Sequence, residues 1–336
     1  MGIMVDGHWQ PGEATEASKD GNFARQDAGF RDWVTADGAE APEGHRAYPA
    51  AAGRYHLYVS YACPWAHRAL VVRALKGLED SIGVSVVSPV MRENGWTFAT
   101  DAGGSGDGLY GLDYLWQLYA RARPGYSGKV TVPVLWDRET ETIVSNESAE
   151  IIRMLASAWD GIGALPGDFY PEAARATIDA INAEIYQAVN NGVYKAGFAT
   201  TQAAYDDAVT QLFAMLDRLD RHLATQDWLV GPAMTEADIR LFTTLVRFDA
   251  VYVGHFKCNV RRIADYPALE RYLERMLAVP AIAATVHLDH IMTHYYASHR
   301  DLNPSGIVPA GPDLPWAKMV DGSKSQRNAT PPARLP

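Results

Sequence analysis

The stretch Ser60-Tyr-Ala-Cys-Pro-Trp-Ala-His-Arg68 decides the fold of this chain. Residues 54–61 have the pattern of a strand, and the apolar spacing of residues 64–78 predicts a helix. Pro64 takes the first-turn position that proline favours. Cys63 is therefore expected where a strand ends and a helix begins, in front of unpaired N–H groups and the positive end of the helix dipole. Both favour the thiolate, which is the nucleophilic form of cysteine.

The position three residues after Cys63 is Ala66, where a dithiol oxidoreductase would carry its second cysteine. A mixed disulfide on Cys63 then has no internal thiol to release it. An external thiol must do so, and the abundant cytosolic candidate is glutathione. His67 and Arg68 follow within about a turn and are expected to add positive charge. A buried structural role is the alternative for Cys63, and it is the preferred interpretation of the other cysteine, Cys258.

Further elements on the C-terminal side of the motif predict a thioredoxin-like domain. Residues 84–87 have the pattern of a second strand. Two more strands, at 131–136 and 142–145, would form a hairpin before a helix at 148–158. The order strand–helix–strand followed by strand–strand–helix is that of a thioredoxin-like fold, which is expected over residues 52–160.

The rest of the chain divides into three parts. Residues 161–302 begin with a linker rich in Gly and Pro and then show helical periodicity, which predicts a separate all-helical domain. Within it, Thr235-Glu-Ala-Asp238 predicts a helix start with a capping box, a folding feature. Residues 1–51 are expected to form an extension that scattered aromatic side chains anchor in part. Residues 303–336, rich in Pro and Gly, predict a tail that lies on the surface or is disordered. The predicted fold class is α/β plus all-α.

Two features after the motif fit a glutathione site. Val132-Pro133 precedes a strand, where a thioredoxin-like domain uses a cis-proline, and this arrangement exposes the backbone of Val132 to a peptide ligand such as glutathione. Ser145-Asn-Glu-Ser-Ala149 stands at a helix start. The N–H groups there and the Ser148 hydroxyl can hold the γ-glutamyl carboxylate, and Glu147 can pair with its ammonium group. The alternative is that residues 146–148 only cap the helix.

Composition and charge argue against several classes of protein. The formal net charge of −10 makes nucleic acid or an anionic membrane an improbable main partner. No apolar run reaches about 18 residues, and the N-terminus has no signal-peptide pattern, so a cytoplasmic protein without a membrane span is expected. Two cysteines give neither a disulfide framework nor enough thiols for zinc. His287, His290 and His294 fall at helical spacing without a completing carboxylate or thiol, and no metal is expected.

These residues resemble a glutathione transferase, with a thioredoxin-like N-terminal domain and an all-helical C-terminal domain. More narrowly, they resemble the xi class, the glutathionyl-hydroquinone reductases, over about residues 2–299. The segments that carry the resemblance are Cys63-Pro-Trp-Ala66, Glu93-Asn-Gly-Trp-Thr97, Val130-Thr-Val-Pro-Val-Leu-Trp136, Ser145-Asn-Glu-Ser-Ala-Glu150, Asn190-Asn-Gly-Val-Tyr-Lys-Ala-Gly197 and His255-Phe-Lys-Cys-Asn259.

The resemblance implies that Cys63 attacks the sulfur of a glutathionyl-hydroquinone and releases the hydroquinone. A second glutathione, the co-substrate, then leaves as GSSG. The resemblance also implies a homodimer. The glutathione-binding residues that it implies are Trp96, Val132, Glu147 and Ser148, with one cationic side chain among Arg121, Arg123 and Lys129. Pro133, the expected cis-proline, is counted with the glutathione-binding residues.

Aromatic residues complete the site that the resemblance implies. Breaking a carbon–sulfur bond to an aromatic ring requires protonation of the ring carbon, so groups must hold and polarise the phenolic oxygens. Tyr194 matches a family tyrosine, and Tyr295 or Tyr296 supplies a second substrate-binding group. Tyr295 is preferred, because adjacent tyrosines on a helix cannot both face one ligand. Cys63, Tyr194 and Tyr295 are therefore the expected catalytic residues, and core packing is the alternative for the tyrosines.

Two other functions remain open from the sequence. An omega-like thioltransferase or dehydroascorbate reductase would use the same cysteine chemistry with a less aromatic pocket. A non-catalytic, transferase-like binding module would need no thiolate at a helix start. The tyrosines and residues 93–97 favour the hydroquinone activity over the first, and the context of Cys63 favours an enzyme over the second.

Overall fold

The N-terminal extension is folded onto the rest of the molecule. The computed structural model describes residues 2–12 and 20–320 and gives the extension two pairs of short strands. The antiparallel pair is β1 (Ile3–Val5) with β2 (His8–Gln10), and the parallel pair is β3 (Trp33–Thr35) with β4 (Ala47–Pro49). Phe30 is buried, with its ring centroid 5.4 Å from that of Tyr126. Aromatic side chains therefore anchor the extension, as expected.

A four-stranded sheet carries the motif around Cys63. Its strands are β5 (Tyr55–Val59), β6 (Gly83–Val86), β7 (Val134–Asp137) and β8 (Thr142–Ser145). The order across the sheet is β6-β5-β7-β8, with β5 parallel to β6 and antiparallel to β7, and β7 antiparallel to β8. The side chains of β5 are all buried, so this strand lies in the core. This topology confirms the thioredoxin-like prediction.

Three helices accompany the sheet. They are α1 (Pro64–Leu75), α2 (Leu115–Ala122) and α3 (Ser148–Ser157), and α1 packs against α3. Helix α1 begins, as predicted, directly after Cys63, with Pro64 in its first turn. It ends earlier than residue 78, because Gly77 adopts a φ of 62°, the left-handed conformation that terminates helices.

The second half of the chain is helical, which confirms the predicted fold class. Its helices are α4 (Arg175–Ile185), α5 (Gly192–Gly197), α6 (Gln202–Leu223), α7 (Glu236–Arg247), α8 (Pro267–Leu277), α9 (Pro280–Ala283) and α10 (Leu288–Ser298). The domain boundary between residues 160 and 161 stays a prediction.

In the part of the chain that is described, no single helix is long and apolar enough to cross a membrane. Among the described residues, only the bent pair of α8 with the segment Pro280–Ser298 has the length and composition that a membrane span needs.

The C-terminal tail is not confined to the surface. Leu314, Trp316 and Val320 are buried and belong to the hydrophobic core. The Pro- and Gly-rich composition of this segment predicted a surface or disordered tail and did not indicate the docking of its few apolar side chains. The part of the predicted tail from residue 321 to 336 lies outside the described residues.

The start of α7 leads to a prediction about stability. Asp238 is fully buried, and its carboxylate accepts hydrogen bonds from the N–H groups of Leu229 at 2.9 Å and Thr235 at 2.8 Å and from the Tyr272 hydroxyl at 3.0 Å. The predicted capping box is present. Replacement of Asp238 by alanine leaves these donors unpaired and is expected to lower the free energy of unfolding by about 3 kcal/mol, measured by urea denaturation.

Asp265 provides the matched control for this measurement. Its carboxylate also caps a helical turn, but on the surface, where it pairs with Arg262. Water can replace these contacts in Asp265→Ala, so the expected loss of stability is much smaller. Equal losses in the two variants would contradict the role assigned to the buried cap.

Candidate active site

Cys63 lies at the N-terminus of α1, against the loop that precedes β7. The residue is partly exposed and has an extended backbone, with φ of −75° and ψ of 123°. Its N–H group donates to the carbonyl of Ser60 at 3.2 Å, and its Sγ lies 3.6 Å from the carbonyl oxygen of Val132. The thiol therefore faces the backbone position at which a peptide ligand is expected to pair.

The surroundings of Cys63 raise the pKa of its thiol, because burial disfavours the charged form. The N–H group of Ala66, the charge of Arg247 and the N–H group of Trp65 all act in the opposite direction. The expected contribution of His67 is wrong. His67 is fully buried, and burial together with the charge of Arg247 lowers its pKa well below the ordinary value. A neutral imidazole adds no positive charge at neutral pH.

Arg68 connects two parts of the site. The residue is 2% exposed, and burial lowers the pKa of its guanidinium to about 9. One amino group donates to the hydroxyl oxygen of Ser148 at 3.3 Å, and the other to the side-chain oxygen of Asn190 at 3.0 Å. Its Cζ lies 4.5 Å from the ring centroid of Trp65. Arg68 thus links the start of α3 to the helical half of the molecule.

All five residues expected to bind glutathione line the same pocket as Cys63. The ring of Trp96 stacks on that of His294, with centroids 4.9 Å apart. The Val132–Pro133 peptide bond is cis, as expected. The same lining also includes Lys129, Val130, Thr131 and Asn146.

The start of α3 is capped by the chain itself. Glu147 is the N-cap residue, and its carboxylate accepts a hydrogen bond from the N–H group of Ala149 at 3.0 Å. The side-chain oxygen of Asn146 accepts from the N–H group of Phe30 at 3.0 Å, and its amide donates to the Thr131 hydroxyl at 3.1 Å. The capping role left open by the sequence therefore falls to Glu147, while Asn146 ties the extension to the loop before β7.

Three tyrosine hydroxyls form a chain at the aromatic end of the pocket. The hydroxyl oxygens of Tyr194, on α5, and Tyr295, on α10, are 2.6 Å apart. The hydroxyl of Tyr252 lies 3.0 Å from that of Tyr295. Burial raises the pKa of all three phenols, so they are protonated at neutral pH and can donate hydrogen bonds or protons. Tyr252 does not itself line the pocket; it ends a π-helical turn, Phe248–Tyr252, and belongs to no motif, so no sequence pattern marked it.

Tyr296 is not among the residues that line the pocket. Its hydroxyl donates to the carbonyl of Ala250 at 3.4 Å, and its ring lies 4.9 Å from that of His255. Neighbouring residues on an α-helix point about 100° apart, so α10 turns Tyr295 towards the pocket and Tyr296 away from it.

The N-terminal extension forms one wall of the pocket. The ring of Phe23 lies 6.1 Å from that of Tyr194. The guanidinium carbon of Arg25 lies 4.7 Å from the ring centroid of Trp65 and 5.1 Å from that of Tyr194. Its Nε donates to the side-chain oxygen of Asn191 at 3.2 Å. The sequence left the role of the extension open, and no pattern marked Phe23 or Arg25.

One of the three candidate cations lies in the pocket. Lys129 lines it, and burial lowers the pKa of its ammonium group to about 8. Arg121 pairs with Glu141 at 2.7 Å on the surface, and Arg123 lies over the ring of Phe30, 4.4 Å from its centroid. Of these three cations, Lys129 is therefore the one placed to contact a ligand in the pocket.

Cys258 is fully buried, and burial raises the pKa of its thiol. Its Sγ lies 3.8 Å from the carbonyl oxygen of Phe256. Within residues 2–12 and 20–320, no group of three or more His, Cys, Asp or Glu side chains could hold a metal ion. Thiol chemistry in this part of the molecule therefore centres on Cys63.

Comparisons with known proteins agree with this architecture. The family model for the glutathione S-transferase N-terminal domain matches residues 62–158, and that for the C-terminal domain matches residues 202–275. Glutathionyl-hydroquinone reductase YqjG of Escherichia coli (strain K12) is 55% identical over 313 residues, which cover 93% of this chain and 95% of the relative. Glutathionyl-hydroquinone reductase PcpF of Sphingobium chlorophenolicum is 52% identical over 315 residues, covering 94% and 97%.

Solved structures give the same result. The glutathione-bound structure of Escherichia coli K-12 YqjG aligns with a TM-score of 0.86 at 54% identity, covering 93% of this chain and 96% of that one. The Xi class GST from Natrialba magadii aligns with a TM-score of 0.88 at 49% identity, covering 94% and 95%. The chain therefore belongs to the glutathione S-transferase family, and within it to the Xi class.

Proposed function

We propose that this chain reduces glutathionyl-hydroquinones to hydroquinones, with glutathione as the reductant and a mixed disulfide on Cys63 as the intermediate. The observation that carries the proposal is a partly exposed thiol that shares one pocket with the hydroxyls of Tyr194 and Tyr295. The Escherichia coli and Sphingobium chlorophenolicum relatives bear the name of this activity.

Glutathione binds, in this proposal, along the side of the pocket that holds Trp96. Its cysteinyl backbone pairs with the backbone of Val132, next to the Cys63 thiol. Its γ-glutamyl carboxylate accepts from the N–H groups and the Ser148 hydroxyl at the start of α3, where the helix dipole favours negative charge. Its ammonium group pairs with Glu147. The clustering of these residues around Cys63 supports this orientation.

The reaction then proceeds in two thiol steps. The Cys63 thiolate attacks the glutathionyl sulfur, so that a disulfide forms as the bond from sulfur to the ring carbon breaks. The ring carbon has already taken up a proton, so the electron pair of the broken bond restores the aromatic ring, a phenolate oxygen regains a proton, and the hydroquinone leaves. A second glutathione thiolate attacks the glutathionyl sulfur of the mixed disulfide, which releases GSSG and restores the Cys63 thiolate. Ala66, in place of a second cysteine, makes this external step necessary.

Tyr194 supplies the proton for the ring carbon. Protonation of the ring carbon, together with loss of the proton of a ring hydroxyl to solvent, converts the hydroquinone to a keto form, in which the carbon–sulfur bond is easier to break. The hydroxyl of Tyr295, 2.6 Å from that of Tyr194, stabilises the tyrosinate left behind, and Tyr252 extends this chain of hydrogen bonds. The raised pKa values keep the three phenols protonated at neutral pH, so that each carries a proton when substrate binds.

Lys129 is expected to pair with a carboxylate of glutathione. Replacement by methionine removes this charge and should raise the KM for glutathione about tenfold, with little change in kcat. Because the pKa of Lys129 is about 8, its charge is present below that pH and is lost above it. The KM of the wild type should therefore rise as the pH increases through about 8, and steady-state kinetics across this range measure the rise.

Arg123→Met is the control for Lys129→Met. Arg123 is a neighbouring cation that lies over Phe30 and does not line the pocket. Its removal should leave the KM for glutathione unchanged. If both variants raised the KM equally, a general effect of surface charge would explain the result better than a contact with glutathione.

The proposed activity is tested by anaerobic incubation with a glutathionyl-hydroquinone and excess glutathione, followed by chromatography. Equal amounts of hydroquinone and GSSG are expected. If the conjugate stayed intact while dehydroascorbate or a simple mixed disulfide was reduced, the omega-like thioltransferase would be the correct function. A chain that turned over none of these substrates would be a binding module.

Two further properties stay predictions. The family resemblance implies a homodimer, which sedimentation of the purified chain tests. A cytoplasmic location is expected from the sequence, and fractionation of the producing cells tests it.

A further inference from the structure

A buried arginine lies directly behind the loop that carries Cys63. Arg247, the last residue of α7, is fully buried. Its Nε donates to the carbonyl of Ala62 at 2.8 Å, and one of its amino groups donates to the carbonyl of Tyr61 at 3.1 Å. The carbonyl of Ala62 belongs to the peptide unit that contains the nitrogen of Cys63. The guanidinium is therefore bonded to the backbone that positions the nucleophile.

The charge of Arg247 has no carboxylate partner among the described residues. Its other amino group donates to the carbonyl of Thr243 at 2.7 Å and to Nδ1 of His67 at 2.9 Å. All these acceptors are neutral. A buried cation is costly unless something compensates for its lost hydration, and its field reaches further in a medium of low dielectric constant than in water. The positive field of Arg247 is thus available to a neighbouring anion.

His67 does not weaken this field. A guanidinium can only donate hydrogen bonds, so Nδ1 of His67 must accept. The proton of the neutral ring then lies on Nε2, which donates to the Thr285 hydroxyl at 2.7 Å, and that hydroxyl donates to the carbonyl of Ile282 at 2.7 Å. The chain of hydrogen bonds has one direction, away from Arg247, and it ends on a neutral acceptor.

We propose that Arg247 is a positioning residue that holds residues 61–62 and supplies the buried positive charge that favours the thiolate of Cys63. The inference rests on the proposed function in one respect, that Cys63 is the nucleophile. It answers a difficulty of the site, since burial raises the pKa of the thiol and the start of α1 does not fully offset this. Arg247 is among the groups that lower it.

Other titratable groups around the thiol come from every element that packs against it. They are Arg25 and Asp27 from the extension, Tyr126 and Lys129 before β7, Glu147 before α3, Tyr186 and Tyr194 around α5, and His294, Tyr295 and His299 in and after α10. Arg25, the other nearby arginine, is exposed, so water screens its charge, whereas Arg247 is fully buried. None of these groups changes in an Arg247 variant, and a difference between variants therefore reports on Arg247.

The test is the rate of iodoacetamide alkylation at Cys63 as a function of pH, in the full chain, with the site identified by peptide mass. Arg247→Gln keeps an amide that can donate to the carbonyls but removes the charge. In this variant the midpoint of the pH dependence of the alkylation rate should move up by about 1 pH unit. Alkylation at pH 7 then becomes about tenfold slower. Arg247→Lys keeps the charge, and its midpoint should stay within about 0.3 units of the wild type.

Arg73→Gln is the matched control. Arg73 also donates to backbone carbonyls, those of Ile82 at 2.8 Å and Glu79 at 3.0 Å, but it lies about 15 Å further along α1. Its midpoint should match that of the wild type. A wild-type midpoint in Arg247→Gln, or equal shifts in Arg247→Gln and Arg247→Lys, would overturn the proposal. Since alkylation needs neither glutathione nor a hydroquinone, failure of the proposed activity would be seen separately.

Discussion

Replacement of Cys63 by alanine is expected to lower kcat for hydroquinone release by about 10⁴-fold or more. The nucleophile is lost, and no other thiol in the described residues can replace it, because Cys258 is fully buried. Chromatography of hydroquinone and GSSG measures the loss. Binding of glutathione to the variant should persist, since the other proposed contacts of glutathione remain.

Cys258→Ala is the control for this variant. It removes the second thiol from a site that is closed to substrate, and its activity should stay within about threefold of the wild type. Residual turnover of the Cys63 variant at more than a few per cent of the wild-type rate would mean that glutathione itself attacks the conjugate.

Replacement of Tyr194 by phenylalanine is expected to lower kcat for a glutathionyl-hydroquinone by about 10²-fold. The variant loses the proton donor but keeps the aromatic wall. Reduction of a simple glutathione mixed disulfide needs the same attack on sulfur but no protonation of a ring carbon. That activity should therefore change by less than about threefold in the same variant. The ratio of the two rates isolates the proton transfer from the thiol chemistry.

Tyr296→Phe is the control for the tyrosine series. Its hydroxyl donates to a backbone carbonyl outside the pocket lining, and both activities should be retained. Equal loss of both activities in Tyr194→Phe would point to a role in shaping the pocket, and the proton donor would have to be sought elsewhere.

The fold around Cys63 could be predicted because each element has a local pattern. The strand before Cys63, the helix that begins with Pro64 and the hairpin before α3 are each recognisable within about ten residues. The short strands of the extension are different, because three residues carry no period. Long-range pairing fixes them, for example the reciprocal backbone hydrogen bonds of Met4 and Gly128, at 3.0 and 2.9 Å.

The site could be predicted only where its residues sit in recognisable motifs. Arg247 could not be found in this way, since 185 positions separate it from Ala62 and no spacing rule joins them. Tyr252 was missed for the same reason. Gly197 lies in one of the segments that carry the family resemblance, and the packing around it leaves no room for a side chain. A Cβ at this position would lie 2.3 Å from Cγ of Phe256, whose ring packs against Tyr194.

The acidity of the nucleophile was the property that the sequence described least well. The start of α1 suggested a thiolate, but a linear sequence does not show how many aromatic rings surround a thiol. Burial raises the pKa of Cys63, and the opposing charge of Arg247 comes from a distant helix. Electrostatic properties of this kind depend on the three-dimensional packing of several elements.

The most direct test of the account is a single turnover without free glutathione. The enzyme is mixed with an excess of glutathionyl-hydroquinone and quenched with acid. The masses of its peptides are then measured by mass spectrometry. We predict one hydroquinone per enzyme and one glutathionyl group on the peptide that contains Cys63, which added glutathione removes as GSSG. Release of hydroquinone with Cys63 unmodified, or a glutathionyl group on Cys258 instead, would contradict the proposed intermediate.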